Sequence, residues 1–179
     1  IDEPVQRELY EKGGREQLTA FLRSQLARPR GTILDTERRF QMEIAGARVR
    51  GRLDRLDRVG TNSEVAIVDY KTGKPKTQED ADESLQLSLY ALAAKKMGFT
   101  AGALIFVNLQ DATAVESRRT PEELRRAEDR VGEIAAKIAA GEFEPKPGPG
   151  CARCCYYSIC PAQEEPVPRP AVSSASPKN

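Results

Sequence analysis

Ile67-Val-Asp69-Tyr-Lys71-Thr-Gly73-Lys74 closes an apolar run that begins at Val65, and Gly51-Arg-Leu-Asp54-Arg-Leu-Asp57 stands before it at hairpin distance. The run Val65, Ile67, Val68 predicts a buried strand over Glu64 to Tyr70. Side chains alternate along a strand, so Asp69 and Lys71 project from one face while Val68 and Tyr70 point to the other. Strand interiors avoid acids and lysines. An isolated Asp-X-Lys reads as a salt-bridged surface strand, but the same pair at the end of a buried run needs a chemical reason.

Phosphodiester hydrolysis supplies one. Mg²⁺ prefers hard oxygen ligands, one or two carboxylates completed by water and substrate phosphate. Asp54 and Asp69, from successive strands, are the candidate carboxylates, and the backbone carbonyl of Tyr70 is a further oxygen. Such an ion polarises the scissile phosphate and helps to generate hydroxide. Lys71 beside it orients the attacking water and stabilises charge developing on the phosphate. Asp57 lies three residues beyond Asp54 and falls on the opposite side of a strand. It is expected to be structural, pairing with a neighbouring arginine.

Outward from this segment, Phe40 to Ile44 and Ala47 to Leu53 predict a hairpin turning near Gly46, and Gly60 to Ser63 a turn into the next strand. Upstream, Val5, Leu9, Leu18, Phe21, Leu22 and Leu26 recur at helical spacing. Gly13-Gly14 splits that pattern into two short helices or one broken helix, and Pro29-Arg-Gly31 ends it. Downstream, Glu79 to Met97 predicts one Leu- and Ala-rich helix closed by Gly98. Ala103 to Leu109 predicts a buried strand. Thr120-Pro-Glu-Glu123 is a capping box opening a helix to about Ala140. The expected class is α/β, a mixed sheet flanked by helices. The segment from Pro166 is aperiodic, rich in proline and serine, and is expected to be disordered.

Composition narrows the chemistry. The chain has 179 residues, 39% hydrophobic and 31% charged, with Lys+Arg 28 against Asp+Glu 27. There is no histidine, which excludes histidine triads, histidine bases and histidine metal sites within this chain. No stretch approaches a membrane span and no secretory h-region opens it, which points to the cytoplasm and to no membrane partner. Starting at Ile1 within a helical pattern, the chain is expected to be a piece of a longer protein. All four cysteines crowd between Cys151 and Cys160, whereas a disulfide framework spreads them. With Cys155 set aside, the spacing is Cys-X2-Cys-X5-Cys, which suits ligation of one soft metal centre. A four-cysteine zinc site is the alternative, although adjacent Cys154 and Cys155 do not easily share one ion.

In combination, Gly51 to Lys74 resembles the core of the RecB-like branch of the PD-(D/E)XK nucleases: Gly-X-X-Asp, then a hydrophobic strand ending Asp/Glu-X-Lys. The resemblance implies a restriction-endonuclease-like fold and places Asp54, Asp69 and Lys71 on metal-binding and catalytic positions. Gln86-Leu-Ser-Leu-Tyr90 matches that branch's Gln-X-X-X-Tyr motif. Gln86 and Tyr90 share one helical face, which the resemblance places beside the active site and against DNA. Glu37 resembles the acid that often opens the family's first strand, with a structural role expected. The cysteines, after a helix ending Gly141-Glu-Phe143, resemble the clasp of AddB-like and CRISPR-associated iron–sulfur nucleases. That resemblance implies a [4Fe–4S] cluster on Cys151, Cys154 and Cys160, with a fourth ligand upstream of Ile1, tying the domain ends together.

The implied division is an N-terminal helical segment (1–34), a nuclease core (35–145), a cysteine clasp (146–165) and a tail (166–179). The implied activity is Mg²⁺- or Mn²⁺-dependent DNA exonuclease work in recombination or repair, joined to a helicase domain or subunit. One departure stands out: the family usually carries a metal-binding histidine on a helix before the first strand, which here is expected upstream of Ile1. A nuclease-fold DNA-binding scaffold without catalysis is the reading from another class. A zinc-ribbon module would explain the cysteines and leave the Asp-Tyr-Lys strand unexplained.

Overall fold

The structure, a computed structural model, describes residues 4–26, 31–60 and 63–162. The expected tail from Pro166, the expected helix stop at Pro29 and Arg30, and Thr61 and Asn62 of the expected turn lie outside them. The chain divides into two compact units, Ile1–Ala135 and Ala136–Asn179.

The first unit is built on one mixed five-stranded sheet in the order β1-β2-β3-β4-β5. Strands β1 (Thr32–Ile44) and β2 (Ala47–Arg58) form a long hairpin, paired from Ile44↔Ala47 to Thr32↔Arg58. It reaches well beyond the expected segments Phe40 to Ile44 and Ala47 to Leu53. Strand β3 (Glu64–Lys71) pairs antiparallel with β2 and parallel with β4 (Thr100–Asn108). A parallel pair needs a crossover, and helices α2 (Gln78–Asp82) and α3 (Leu85–Lys96) supply it. Strand β5 (Thr113–Ser117) returns antiparallel to β4. Thr120 and Glu123 cap α4 (Pro121–Ala139) reciprocally, at 2.7 and 3.2 Å.

The core lies between the sheet and α3. Leu53, Leu56, Val65, Ile67, Leu104 and Phe106 from the strands meet Leu87, Tyr90, Ala91 and Ala94 from α3. A second cluster joins Met42 and Ile44 to Leu92, Ala93 and, from α4, Val131. Alanines on α3 let the helix approach the sheet closely. Among the described residues no helix is long and apolar enough to cross a membrane.

Three expectations change. Helix α1 (Pro4–Leu26) runs unbroken through Gly13-Gly14, neither of which takes the positive φ that would end it. Two internal glycines cost about 1 kcal/mol each relative to alanine, which weakens a helix without stopping it. The single helix expected from Glu79 to Met97 is two: Ser84 is extended and accepts from Leu87 N at 3.2 Å, restarting the chain as α3. Strand β5 was not anticipated, because five residues flanked by a tight turn show little periodicity.

Arg119 holds the α2–α3 break open. Its guanidinium donates to Ala81 O at 2.6 Å, Ser84 O at 3.2 Å, Ser88 Oγ at 2.8 Å and Ser117 Oγ at 2.5 Å. These bonds tie the end of α2 and the first turn of α3 to one cation. Burial lowers its pKa, opposed by Glu123 and Asp82. Hydrogen bonds to charged groups contribute about 1.5–3 kcal/mol each, net of exchange with water. Arg119→Met should therefore lower unfolding stability by about 2–3 kcal/mol, read as a shifted urea midpoint; an unchanged midpoint would remove Arg119 from this role.

Candidate active site

Antiparallel pairing between β2 and β3 ends at Arg55↔Val68. One step further along the register stand Asp54 and Asp69, and here Tyr70 N donates to Asp54 Oδ2 at 3.0 Å instead of to a backbone carbonyl. On its β1 side, β2 is paired through Leu53↔Arg38 and Arg55↔Thr36 with no Asp54 partner, and Glu37 opposite takes φ 56. Leu53 and Leu56 both enter the same core cluster. Strict alternation forbids this for residues three apart, so β2 is distorted at Asp54.

Asp69 is 3% exposed. Its Oδ1 accepts from Gln86 Nε2 at 2.9 Å and from the Tyr90 hydroxyl at 3.2 Å. Its Oδ2 lies 2.6 Å from Lys71 Nζ yet accepts no hydrogen bond. The contact is an ion pair in which the ammonium faces this buried oxygen without hydrogen-bond alignment. Lys71 Nζ also donates to Gln86 Oε1 at 2.9 Å and sits 4.7 Å from the centre of the Phe106 ring, a cation–π geometry. Gln86 thus reads both partners at once, its amide nitrogen on the acid and its oxygen on the ammonium.

Tyr90 keeps its proton at ordinary pH. Burial pushes its pKa up to about 12, with the Asp69 and Asp54 charges adding to the effect and the Gln86 hydrogen bond, 2.7 Å to its oxygen, opposing it. The hydroxyl therefore stays a donor to Asp69.

Tyr70 turns away, as alternation requires. Its hydroxyl accepts from Arg55 Nη1 at 3.3 Å, and its ring meets Phe21 of α1 edge-on at 5.5 Å. Arg55 clamps Asp57 with two bonds, 2.7 and 2.6 Å, so Asp57 belongs to this opposite face. Glu37 is exposed and pairs with Arg52 at 2.7 Å.

Two further residues shape the site and escaped the sequence reading. Asn108, 1% exposed, stands beside Lys71 in the parallel register. Its amide accepts from Lys76 N at 2.8 Å and donates to Lys76 O at 3.0 Å and Thr113 Oγ1 at 3.0 Å. It fixes the loop that leaves the Asp-Tyr-Lys strand. Phe40 meets the Tyr90 ring edge-on at 6.1 Å, and a Cβ on Gly51 would lie within the Phe40 ring. Gly51 therefore makes room for Phe40, which braces Tyr90, which holds Asp69.

The donor set fits a hard divalent cation: two carboxylates, with no cysteine or histidine among the described residues of the first unit. Among the described residues no group of three or more His, Cys, Asp or Glu side chains is assembled for a metal. This applies to the cysteines of the second unit as well. Cys151 and Cys160 are half-buried, Cys154 and Cys155 exposed, and all four are free thiols. Two 3₁₀ turns, Pro149–Arg153 and Tyr157–Ile159, carry the segment, and Gly148 N donates to Cys151 Sγ at 3.2 Å.

Comparison with known proteins gives the family of the chain. The family model of the PD-(D/E)XK nuclease superfamily matches residues 3–161. The chain is similar to the gene 69 protein of Mycobacterium phage L5, 34% identical over 140 residues, which cover 68% of this chain and 42% of that protein. The crystal structure of SSO0001 is 20% identical and superposes with a TM-score of 0.47, covering 72% of this chain and 60% of that one. The chain thus spans under half the length of its phage relative.

The brace can be tested apart from any activity. Forcing a methyl group into a packed site costs about 1–3 kcal/mol. Gly51→Ala should lose that much stability in chemical unfolding, and Phe40→Leu in the same chain should recover most of it. Strictly additive losses in this double-mutant cycle would show that Gly51 and Phe40 are not coupled.

Proposed function

The chain belongs to the PD-(D/E)XK nuclease superfamily, and we propose that its Asp54–Asp69–Lys71 corner hydrolyses phosphodiester bonds of DNA with Mg²⁺ or Mn²⁺. The observation that carries this reading is the Asp69 carboxylate at the end of a buried strand, anchored by one oxygen to Gln86 and Tyr90 and set by the other against the Lys71 ammonium, one register step from Asp54. Asp54 and Asp69 would hold the cation, with the Tyr70 carbonyl as a further oxygen. When bound, it supplies Lewis-acid polarisation of the phosphate and a more acidic water.

The remaining chemistry belongs to the chain. Water attacks phosphorus as the bond to the departing oxygen breaks, and negative charge gathers on the phosphate oxygens. Lys71 offers its ammonium to that charge from a position fixed by Asp69, Gln86 and Phe106, so little reorganisation is needed at the moment of reaction. Tyr90 and Gln86 keep Asp69 from rotating away. Gln86, exposed at the start of α3, is also placed to meet substrate.

The finer reading is a RecB-like, AddB-type exonuclease acting in recombination or repair beside a helicase domain or subunit. Its support is the combined Gly-X-X-Asp, Asp-Tyr-Lys and Gln-X-X-X-Tyr pattern. A [4Fe–4S] cluster on Cys151, Cys154 and Cys160 rests on spacing and resemblance. The described thiols are not gathered as a ligand set, so a fourth ligand and the metal itself would have to draw them together. Iron analysis of the anaerobically purified longer protein decides between this and zinc.

Asp69→Asn and Lys71→Ala should each lower DNA cleavage by about 100-fold or more, and excess EDTA should stop the parent. Asp69→Asn should keep an unfolding midpoint near that of the parent, whereas Lys71→Ala, which leaves a buried carboxylate without its cation, should have a lower one. Cleavage within a few-fold of the parent by either variant, or full activity in EDTA, would refute the assignment. Binding of DNA without cleavage by the parent under all divalent metals would favour the non-catalytic scaffold.

A further inference from the structure

The outward row of the β1–β2 hairpin is not used by the chemistry above. Along β2, Arg48, Arg50 and Arg52 alternate with core-facing Val49, Gly51 and Leu53, and all three are exposed. Exposed Arg39 stands directly across from Arg52, Gln41 from Arg50 and exposed Glu43 from Arg48. Like charges placed opposite each other weaken a hairpin. Arg52 is partly balanced by Glu37 at 2.7 Å. Arg39, Arg48 and Arg50 take part in no ion pair among the described residues. The arginines of α4 differ: Arg125, Arg126 and Arg130 lie 2.6, 4.0 and 3.0 Å from Glu122, Glu123 and Glu133.

Position gives this row a direction. Residues two apart on a strand line one side, about 6.6 Å apart, and the next residue after Arg52 in that alternation is Asp54. β2 is distorted there, so the row runs along the solvent side of the hairpin up to the strand position beside half-buried Asp54. The spacing is close to two 3.4 Å steps of charge along one nucleic-acid strand. Guanidinium groups pair with phosphate in a planar, two-pronged way.

We propose that Arg39, Arg48, Arg50 and Arg52 form a phosphate track that carries one strand of a nucleic-acid backbone along β2 towards Asp54. This deepens the nuclease reading and rests on it for the destination of the strand. The binding itself does not require catalysis. Contacts to phosphate position the substrate without selecting bases, so the track is indifferent to sequence.

The test is binding of fluorescein-labelled 20-mer DNA, single-stranded and duplex, to the full chain in EDTA across a salt series. Each phosphate contact contributes about 0.7 to the slope of log affinity against log salt for a single strand and about 0.9 for a duplex. The triple variant Arg39→Gln/Arg48→Gln/Arg50→Gln should flatten the slope by about 2 units for a single strand and weaken binding at least tenfold at low salt. Its unfolding midpoint should stay near that of the parent, since one like-charged pair, Arg39 and Arg52, and one unlike pair, Arg48 and Glu43, are removed together. A control triple, Arg125→Gln/Arg126→Gln/Arg130→Gln, should leave the slope as it was. An unchanged slope in the β-hairpin variant with both probes overturns the track, as does an equal loss in the α4 control, which would show only a net-charge effect. If the slope falls as expected while the parent cleaves nothing, the track stands and the nuclease reading fails. If the parent cleaves and the slope is unchanged, the reverse holds.

Discussion

A carboxylate at the buried end of a β-strand is costly unless its oxygens are occupied, and at Asp69 the two oxygens are treated differently. One accepts from Gln86 and Tyr90. The other is buried, stands against the Lys71 ammonium and accepts nothing. Stability alone would favour closing both. Holding one oxygen rigidly while its twin faces an ammonium without hydrogen-bond alignment suits an acid whose charge is kept for a further ligand. Much of the first unit can be understood as the support for that one group.

The support is distributed. From β2, Gly51 yields space to Phe40, and Phe40 stands edge-on to Tyr90, whose hydroxyl holds Asp69. The distortion of β2 at Asp54 lets its carboxylate take the Tyr70 amide, so the second acid is fixed by the strand that carries the first. Behind Lys71, Phe106 offers its ring, and Asn108 pins the departing loop at Lys76. Arg119 fixes where α3 begins, and Gln86 lies one residue after that start. A fault at any of these positions is expected to reach Asp69 through packing, at a distance from the chemistry.

Local patterns in the sequence were sufficient for the site's strand and helix. Alternation separated Asp69 and Lys71 from Tyr70, and the four-residue spacing put Gln86 and Tyr90 on one helical face. The same logic sent Asp57 to the opposite side, where Arg55 holds it. What escaped depends on partners far apart in the chain. The break between α2 and α3 is set by Arg119, more than thirty residues away. The role of Gly51 needs Phe40 and Tyr90 together, and Asn108 acts on a loop 32 residues before it. Strand β5 and the full length of the β1–β2 hairpin come from pairing with neighbours, which no local period reports. The cysteine spacing led to a metal clasp that the described residues do not assemble.

The central claim is that the Asp54 and Asp69 carboxylates hold a divalent cation. Titrating Mn²⁺ into the full chain, with free ion followed by electron paramagnetic resonance, tests this without DNA or turnover. The account predicts saturable binding in the parent that is lost in Asp69→Asn and in Asp54→Asn and retained in Asp57→Asn, which alters only the acid on the opposite face. Equal Mn²⁺ binding by the parent and Asp69→Asn would contradict it.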